Sequence, residues 1–326
     1  MTRRWIRPRR WSPPALADRG PTGALRVRRL IPTGGHGPED VVVDGAGRVI
    51  TGLADGRILR IDPASGDRTV LADTGGRPLG LHPRADGGVL VCDHDRGLLA
   101  VAPDGTVEVL VDSVDGRPLT FVSNVVEGAD ATIWFTSSTT RWSLDDHLGD
   151  VFEHSGTGRL LRRDPDGTVT VLLDGLKFAN GLALTADGTA LLVAETAGYR
   201  IRRYGLDGTV TTFADNLPGF PDNLWLGGDG LLWAGIAAPR DPLLDRLLPL
   251  PGILRLLVWN LPEAVRPKAT PIAWVMAFDA GGRIVHDLRS DDGGYGFVTS
   301  AAEKDGLLVA GSLTRPEIAL LEPPGR

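Results

Sequence analysis

Six times along this chain a short hydrophobic run meets an Asp- or Gly-rich turn and continues into a second hydrophobic run. The turn aspartates are Asp44, Asp86, Asp130, Asp187, Asp229 and Asp305. Four of the five intervals between them fall within about 40–60 residues, the period of propeller blades. The last interval is stretched by an insertion after Gly235. Between the turns, strand-like runs recur, among them RVITGLA and RILRIDP, then GVLVCDH and GLLAVAP. Segments such as APDGTVEVLVD and RDPDGTVTVLLD read as outer hairpins, whose Asp-Gly pairs suit turns that need positive φ. Four strands in each of six repeats predict an all-β chain, a six-bladed β-propeller with four-stranded blades. A parallel α/β fold would need amphipathic helices between strands, and almost none are visible. Residues 25–31, LRVRRLI, are expected to supply the strand that closes the ring.

The expected organisation is a basic N-terminal arm over residues 1–24 and a propeller over 25–326. Residues 141–157 lengthen the fourth repeat, and a larger, partly helical insertion spans about 239–270. Within it, LLDRLLPLPGILRLLVW has helical apolar spacing broken by prolines, and reads either as a lid over one mouth or as a helix on a blade flank. The basic start MTRRWIRPRRW is followed by WSPPALADRGPTG rather than by the apolar core of an export signal. No run is long and apolar enough for a transmembrane segment. A formal charge of −6 excludes the basic footprint of nonspecific nucleic-acid binding. The single cysteine, Cys92, excludes a disulfide framework and a cysteine-based zinc cluster, and fits a cytoplasmic protein.

A polar residue stands just ahead of the first run in several repeats. Asn180 and Asp222 each lie seven residues before their turn aspartates, Asp187 and Asp229. Glu39 and the pair Ser123-Asn124 are looser copies, whereas Leu79 and Val298 put apolar residues in that register. In a propeller the innermost strand of each blade lines the channel, so such residues point toward the axis near one mouth. Carboxylate and amide oxygens from several blades suit Ca²⁺, and less well Mg²⁺ or Mn²⁺. The simpler alternative is that these residues only cap turns. His94 is a candidate general base, with His36 as a second choice. His82, His147 and His286 read as surface or turn histidines. GxSxG, Walker and GxGxxG-helix motifs are absent, which argues against a serine nucleophile and nucleotide cofactors. Phe178, Phe220, Trp142, Trp274 and Tyr295 are candidates for an apolar pocket or for core.

Over roughly residues 35–320, the blocks GPEDVVVD, GRPLGL, IWFTSSTTRW, DGLKFANGLAL, LLVAETAGYRIRR and LPGFPDNL resemble the SMP-30/gluconolactonase and strictosidine-synthase-like superfamily of six-bladed propellers. The branch containing adipocyte plasma membrane-associated protein is the nearest in appearance. The resemblance implies a catalytic Ca²⁺ near the axis, with Glu39, Asn180 and Asp222 matching family ligands and Asn223 a further metal-site position. It also implies hydrolysis of lactones, aryl esters or organophosphates. Where calcium-dependent relatives carry Asn-Asp, this chain has Ser123-Asn124. Where strictosidine synthases carry a catalytic glutamate, it has Val298, Thr299 and Ser300.

The expected function is therefore a Ca²⁺-dependent lactone or ester hydrolase acting on a small molecule with an apolar body. Glu39, Asn180 and Asp222 hold the ion, Asn124 and Asn223 assist, and His94 helps activate water. The alternatives are a condensing or cyclising enzyme without metal hydrolysis and a noncatalytic ligand- or partner-binding propeller.

Overall fold

A computed structural model of the protein describes residues 5–16, 20–262 and 270–325. Six four-stranded antiparallel blades surround an axis. Their innermost strands are Val41–Val43, Pro78–Pro83, Val122–Glu127, Ala179–Leu184, Gly219–Leu226 and Val298–Lys304, which open blades 1 to 6 in order. The outermost strand of blade 6 is Val27–Pro32, paired antiparallel with Glu317–Leu321, so the two ends of the propeller close the ring together. This is the closure expected from LRVRRLI. Gly23–Ala24 adds a short parallel strand to the outer edge of blade 5, so pairing begins within the stretch read as the basic N-terminal arm.

The turn aspartates work as their chemistry demands. In Asp44, Asp86, Asp130, Asp187 and Asp229 one carboxylate oxygen accepts from the backbone N–H two residues on, closing an Asx turn. Asp305 instead takes a left-handed φ of 53°, and Glu303 accepts from Gly306 N–H. The apolar residues between turns stack blade against blade in the core.

The inner strands of blades 2 to 6 carry register shifts at Pro78/Leu81, Val122/Val125, Ala179/Leu182, Pro221/Leu224 and Val298/Ser300. A bulge bends a strand and re-aims its side chains. The bulges of blades 3, 4 and 5 coincide with the polar register seen in the sequence. The strands also approach closely there. A Cβ on Gly181 would lie 2.3 Å from the carbonyl oxygen of Asp222, and one on Gly80 would lie 2.2 Å from that of Ser123.

Two insertions build a cap. Residues 141–157 belong to blade 3, between its second and third strands, and not to the fourth repeat; they form helix α1, Leu148–Glu153. The later insertion forms α2, Pro242–Leu247, and α3, Gly252–Trp259. Asp241 caps α2 by accepting from Leu244 N–H, and Pro242 opens its first turn. The arm residues 5–16 run against this cap: Ile6 is buried with Trp142 and Trp259, and Arg9 N–H donates to Glu153 O. Residues 1–4, 17–19 and 263–269 of the expected arm and insertion lie outside the described residues.

Candidate functional site

Four blades bring polar side chains to one place on the axis. Glu39 and Asp40 arrive on the loop just before blade 1, Asn124 on the bulge of blade 3, Asn180 on that of blade 4, and Asp222 with Asn223 on that of blade 5. All six are buried. Asn180 Nδ2 donates to Asp222 Oδ1 at 2.5 Å. Asn124 Nδ2 donates to Asn223 Oδ1 at 3.0 Å, and Asn223 Nδ2 donates to Glu39 Oε1 at 3.0 Å. Asn124 Oδ1 accepts from Leu182 N–H. Neighbouring hydroxyls fix the backbone beneath them: Thr136 donates to Asn180 O, Ser138 to Ala179 O, and Thr299 to Glu39 O.

Asp40 has no counterpart among the candidates drawn from the sequence. Its carboxylate accepts from Ser300 Oγ at 2.5 Å and from Leu81 N–H at 2.9 Å, tying blades 6 and 2 to blade 1. Only the adjacency of two acids in GPEDVVVD hinted at it.

The electrostatics are lopsided. Burial pushes the carboxyl groups of Glu39, Asp40 and Asp222 well above the usual carboxylate range, and their mutual repulsion pushes Glu39 and Asp222 further. Arg77 offers the main opposing charge to Glu39. Glu39 Oε2 is buried and has no hydrogen-bond partner. A buried carboxylate oxygen without a donor is costly unless a cation meets it. Asn180, its nitrogen engaged by Asp222, keeps its amide oxygen as an acceptor. Two carboxylates and an amide oxygen fit a hard, oxygen-preferring cation such as Ca²⁺. Among the described residues no three His, Cys, Asp or Glu side chains gather into a metal-holding group, so the donor set depends on amides.

Above the polar cluster lies a cavity of about 190 Å³. Glu39, Asn180 and Asp222 line it from below, with Ser123 and Thr299. Asn124 lies on the opposite side of the cluster, lining the inner channel. The rest of the wall is mostly apolar, with Phe121, Phe178, Phe220 and Phe297 prominent and His147 and Thr196 as its polar members. Phe121, Phe178 and Phe297 each immediately precede an inner strand and each take a left-handed φ, between 52° and 62°. Bulky residues rarely adopt this backbone, and such strain, of order 1–3 kcal/mol each, gathers where a site needs it.

Of the expected pocket aromatics, Phe178 and Phe220 line the cavity. Trp142, Trp274 and Tyr295 are core instead. Trp142 packs with Ile6 and Trp259, Trp274 Nε1 donates to Asp287, and the Tyr295 hydroxyl donates to blade 6 carbonyls.

The histidines fall in unexpected places. His36 is exposed. His94 is not among the side chains lining the cavity; its ring meets Phe121 edge-on, and its Nε2 accepts from Leu144 N–H at 3.3 Å. His147, set aside in the sequence, lines the cavity. Its Nδ1 lies 2.7 Å from Leu144 O, so Nδ1 carries the proton and Nε2 the lone pair. Burial lowers the pKa of both rings, which keeps them neutral near pH 7. His147 escaped the sequence reading because the 141–157 insertion has no repeat partner against which to align it.

Residues 124–209 match the strictosidine synthase family and residues 24–61 the N-terminal region of strictosidine synthase-like proteins. Adipocyte plasma membrane-associated protein of Salmo salar is 34% identical over 316 residues, covering 88% of this chain and 75% of that one. A gluconolactonase from Xanthomonas campestris shares the fold with a TM-score of 0.67 at 20% identity, over 97% of this chain and 99% of that one. Regucalcin from Agrobacterium tumefaciens, a calcium-binding protein, does so with a TM-score of 0.61 at 17% identity, over 89% and 86%. The cytoplasmic location expected from cysteine content and the N-terminus is corrected by the relatives: those from salmon, rat, mouse and human are all named as plasma membrane-associated. Among the described residues no helix is long and apolar enough to cross a membrane.

Proposed function

This chain belongs to the strictosidine-synthase-like family of six-bladed propellers, and from that premise we propose that it is a calcium-dependent hydrolase of lactones or esters with an apolar body. The observation that carries the reading is Glu39 Oε2, a buried and unpartnered carboxylate oxygen beside Asp222 at the floor of a largely apolar cavity. The gluconolactonase and calcium-binding regucalcin among proteins of the same fold agree with it.

Glu39, Asn180 and Asp222 would hold the ion, while Asn124 and Asn223 brace Glu39 through their hydrogen-bonded chain. Calcium bound there would polarise a substrate carbonyl and ease deprotonation of water. The four phenylalanines receive the apolar body and exclude bulk water. His147 takes the proton of the attacking water at Nε2, its other nitrogen being committed to Leu144 O. His94, first considered for that task, is a positioning residue: its Nε2 is spent on Leu144 N–H, and its ring buttresses Phe121. The missing carboxylate at Val298–Ser300 weighs against a condensing enzyme of the strictosidine synthase type, since Thr299 and Ser300 are committed to Glu39 O and Asp40.

The test is a panel of aryl esters and lactones of increasing acyl chain length, assayed with and without chelator. Turnover that rises with chain length, disappears with chelator and returns with calcium is expected. Turnover indifferent to chelator, or absent across the panel in calcium-loaded protein, overturns the reading.

A further inference from the structure

Helix α3 turns its one charge inward together with Trp259 and leaves apolar residues outside. Its sequence, GILRLLVW, contains one charged residue, Arg255, and that residue is fully buried at 0% exposure. Ile253 and Leu257, one turn apart on a shared face, are 58% and 61% exposed. Leu250, one turn earlier, is also exposed. A helix on the surface of a globular protein turns its apolar stripe inward and its charges outward. Here the inward charge has a structural task. Arg255 donates to Phe152 O and Glu153 O at the C-terminal end of α1, and to Arg9 O of the arm. Orienting Arg255 inward to clamp the arm and α1 leaves the leucine–isoleucine face outside.

The same region gathers positive charge. The arm runs beside α3: a Cβ on Gly252 would meet Pro8, and Trp11 N–H donates to Leu248 O. Arg7, Arg9 and Arg10 on the arm and Arg246 on α2 are exposed, as is Trp5, whose ring type favours a water–lipid boundary. Of the cap's acids, buried Glu153 pairs with Arg141, half-buried Asp245 pairs with Arg240, and buried Asp150 accepts from the Ser155 hydroxyl; the exposed acids of the neighbouring 141–157 segment are Asp145 and Asp146. This arginine-rich face stands on a chain whose formal charge is −6.

The face also communicates with the interior. A second cavity of about 180 Å³ lies under the cap, lined by Leu243, Leu244 and Leu247 of α2 and Val258 of α3. It shares Leu148, Val151, Phe220 and Ala238 with the cavity above the polar cluster. Leu243 is itself partly exposed, so the two adjoining cavities lie between the cap's surface and Glu39 and Asp222, the outer one also lined by Arg240, Asp241 and Thr270.

We propose that the cap is an interfacial docking face for an anionic phospholipid bilayer. Ile253, Leu257 and Leu250 enter the acyl boundary, Trp5 sits at the headgroup level, and the arginines meet lipid phosphates. The two adjoining cavities then admit apolar molecules directly from the membrane. The docking itself is independent of what chemistry the axial site performs.

The experiment is flotation of the purified full chain with vesicles of phosphatidylcholine alone and of phosphatidylcholine mixed with phosphatidylserine. The wild type is expected to partition onto the mixed vesicles and to leave them as salt is raised. The double variant Ile253→Ser with Leu257→Ser loses at least about tenfold in partition, because two side chains no longer bury apolar surface. Both positions are exposed, so its melting temperature is unchanged. The pair Arg7→Gln with Arg10→Gln loses roughly fivefold per arginine, on the anionic vesicles only. Equal partition of the wild type and both variants overturns the proposal, as does absence of the wild type from both kinds of vesicle. It is also overturned if the serine variant changes self-association in sedimentation equilibrium and leaves vesicle binding untouched, since the face would then pack against a second copy.

Discussion

His94 and His147 grip opposite ends of one residue: Leu144 donates its N–H to His94 Nε2 and accepts at its carbonyl oxygen from His147 Nδ1. The link fixes both tautomers. It spends the lone pair of His94 and preserves that of His147. Replacing His147 by Gln is therefore expected to lower kcat by about 10²–10⁴-fold and to abolish the acidic limb of the pH–rate profile. His94→Leu should keep that limb and cost about 1–2 kcal/mol of stability through the lost acceptor. Steady-state kinetics against pH, with melts of both variants, check the contrast.

The amide relay Asn124–Asn223–Glu39 leads to a second expectation. Asn223→Ala removes the donor to Glu39 Oε1 and strands the amide of Asn124. Calcium affinity should fall about 10–100-fold, the usual cost of losing a residue that orients a ligand. Competition against a calcium-sensitive dye reads it.

Gly181 is needed for proximity rather than for a special φ. An added methyl would lie 2.3 Å from Asp222 O and 2.5 Å from Leu224 N, backbone atoms of the adjoining blade that cannot swing away. Gly181→Ala is expected to cost about 1–3 kcal/mol from overpacking and to spread Asn180 from Asp222. A urea titration with a calcium-binding measurement on the same sample should show both losses together.

The polar register shows how much of this was legible in the chain. Asn180 and Asp222 share a phase relative to their turns, and the structure sets them in hydrogen-bond contact. A repeat exposes such positions because every blade repeats the same geometry. Asp40 and Asn223 stand one residue past Glu39 and Asp222. Bulges and the short blade 1 entry bring these second residues into the cluster as well, and a period-2 reading assigns them to the opposite face. The cap obeyed no repeat at all. Its helical spacing was visible, but apolar spacing cannot tell which face turns inward, and in α3 Arg255 took that place.

His154 provides a pH test outside the metal site. It is buried against Trp11, and burial, then Lys177 and Arg255, lower its pKa to about 3. The unfolded chain binds its proton near pH 6.5 and the folded chain does not, so its contribution is intact above pH 6.5 and is lost as pH falls toward 3. His154→Asn removes this dependence while suiting the left-handed backbone at that position, φ 55°. The stability advantage of wild type over the variant should shrink by about 2 kcal/mol between pH 7.5 and pH 5. Urea unfolding at the two pH values measures it.

The central claim is that Glu39, Asn180 and Asp222 hold one calcium ion at the floor of the apolar cavity. Calorimetric titration of chelator-stripped protein with calcium tests it most directly, run on wild type and on Asp222→Asn, which keeps the shape of the site and removes a charge. The account predicts a single site in the wild type, lost in the variant while the variant stays folded. No binding by folded wild type, or the same affinity in Asp222→Asn, would contradict it.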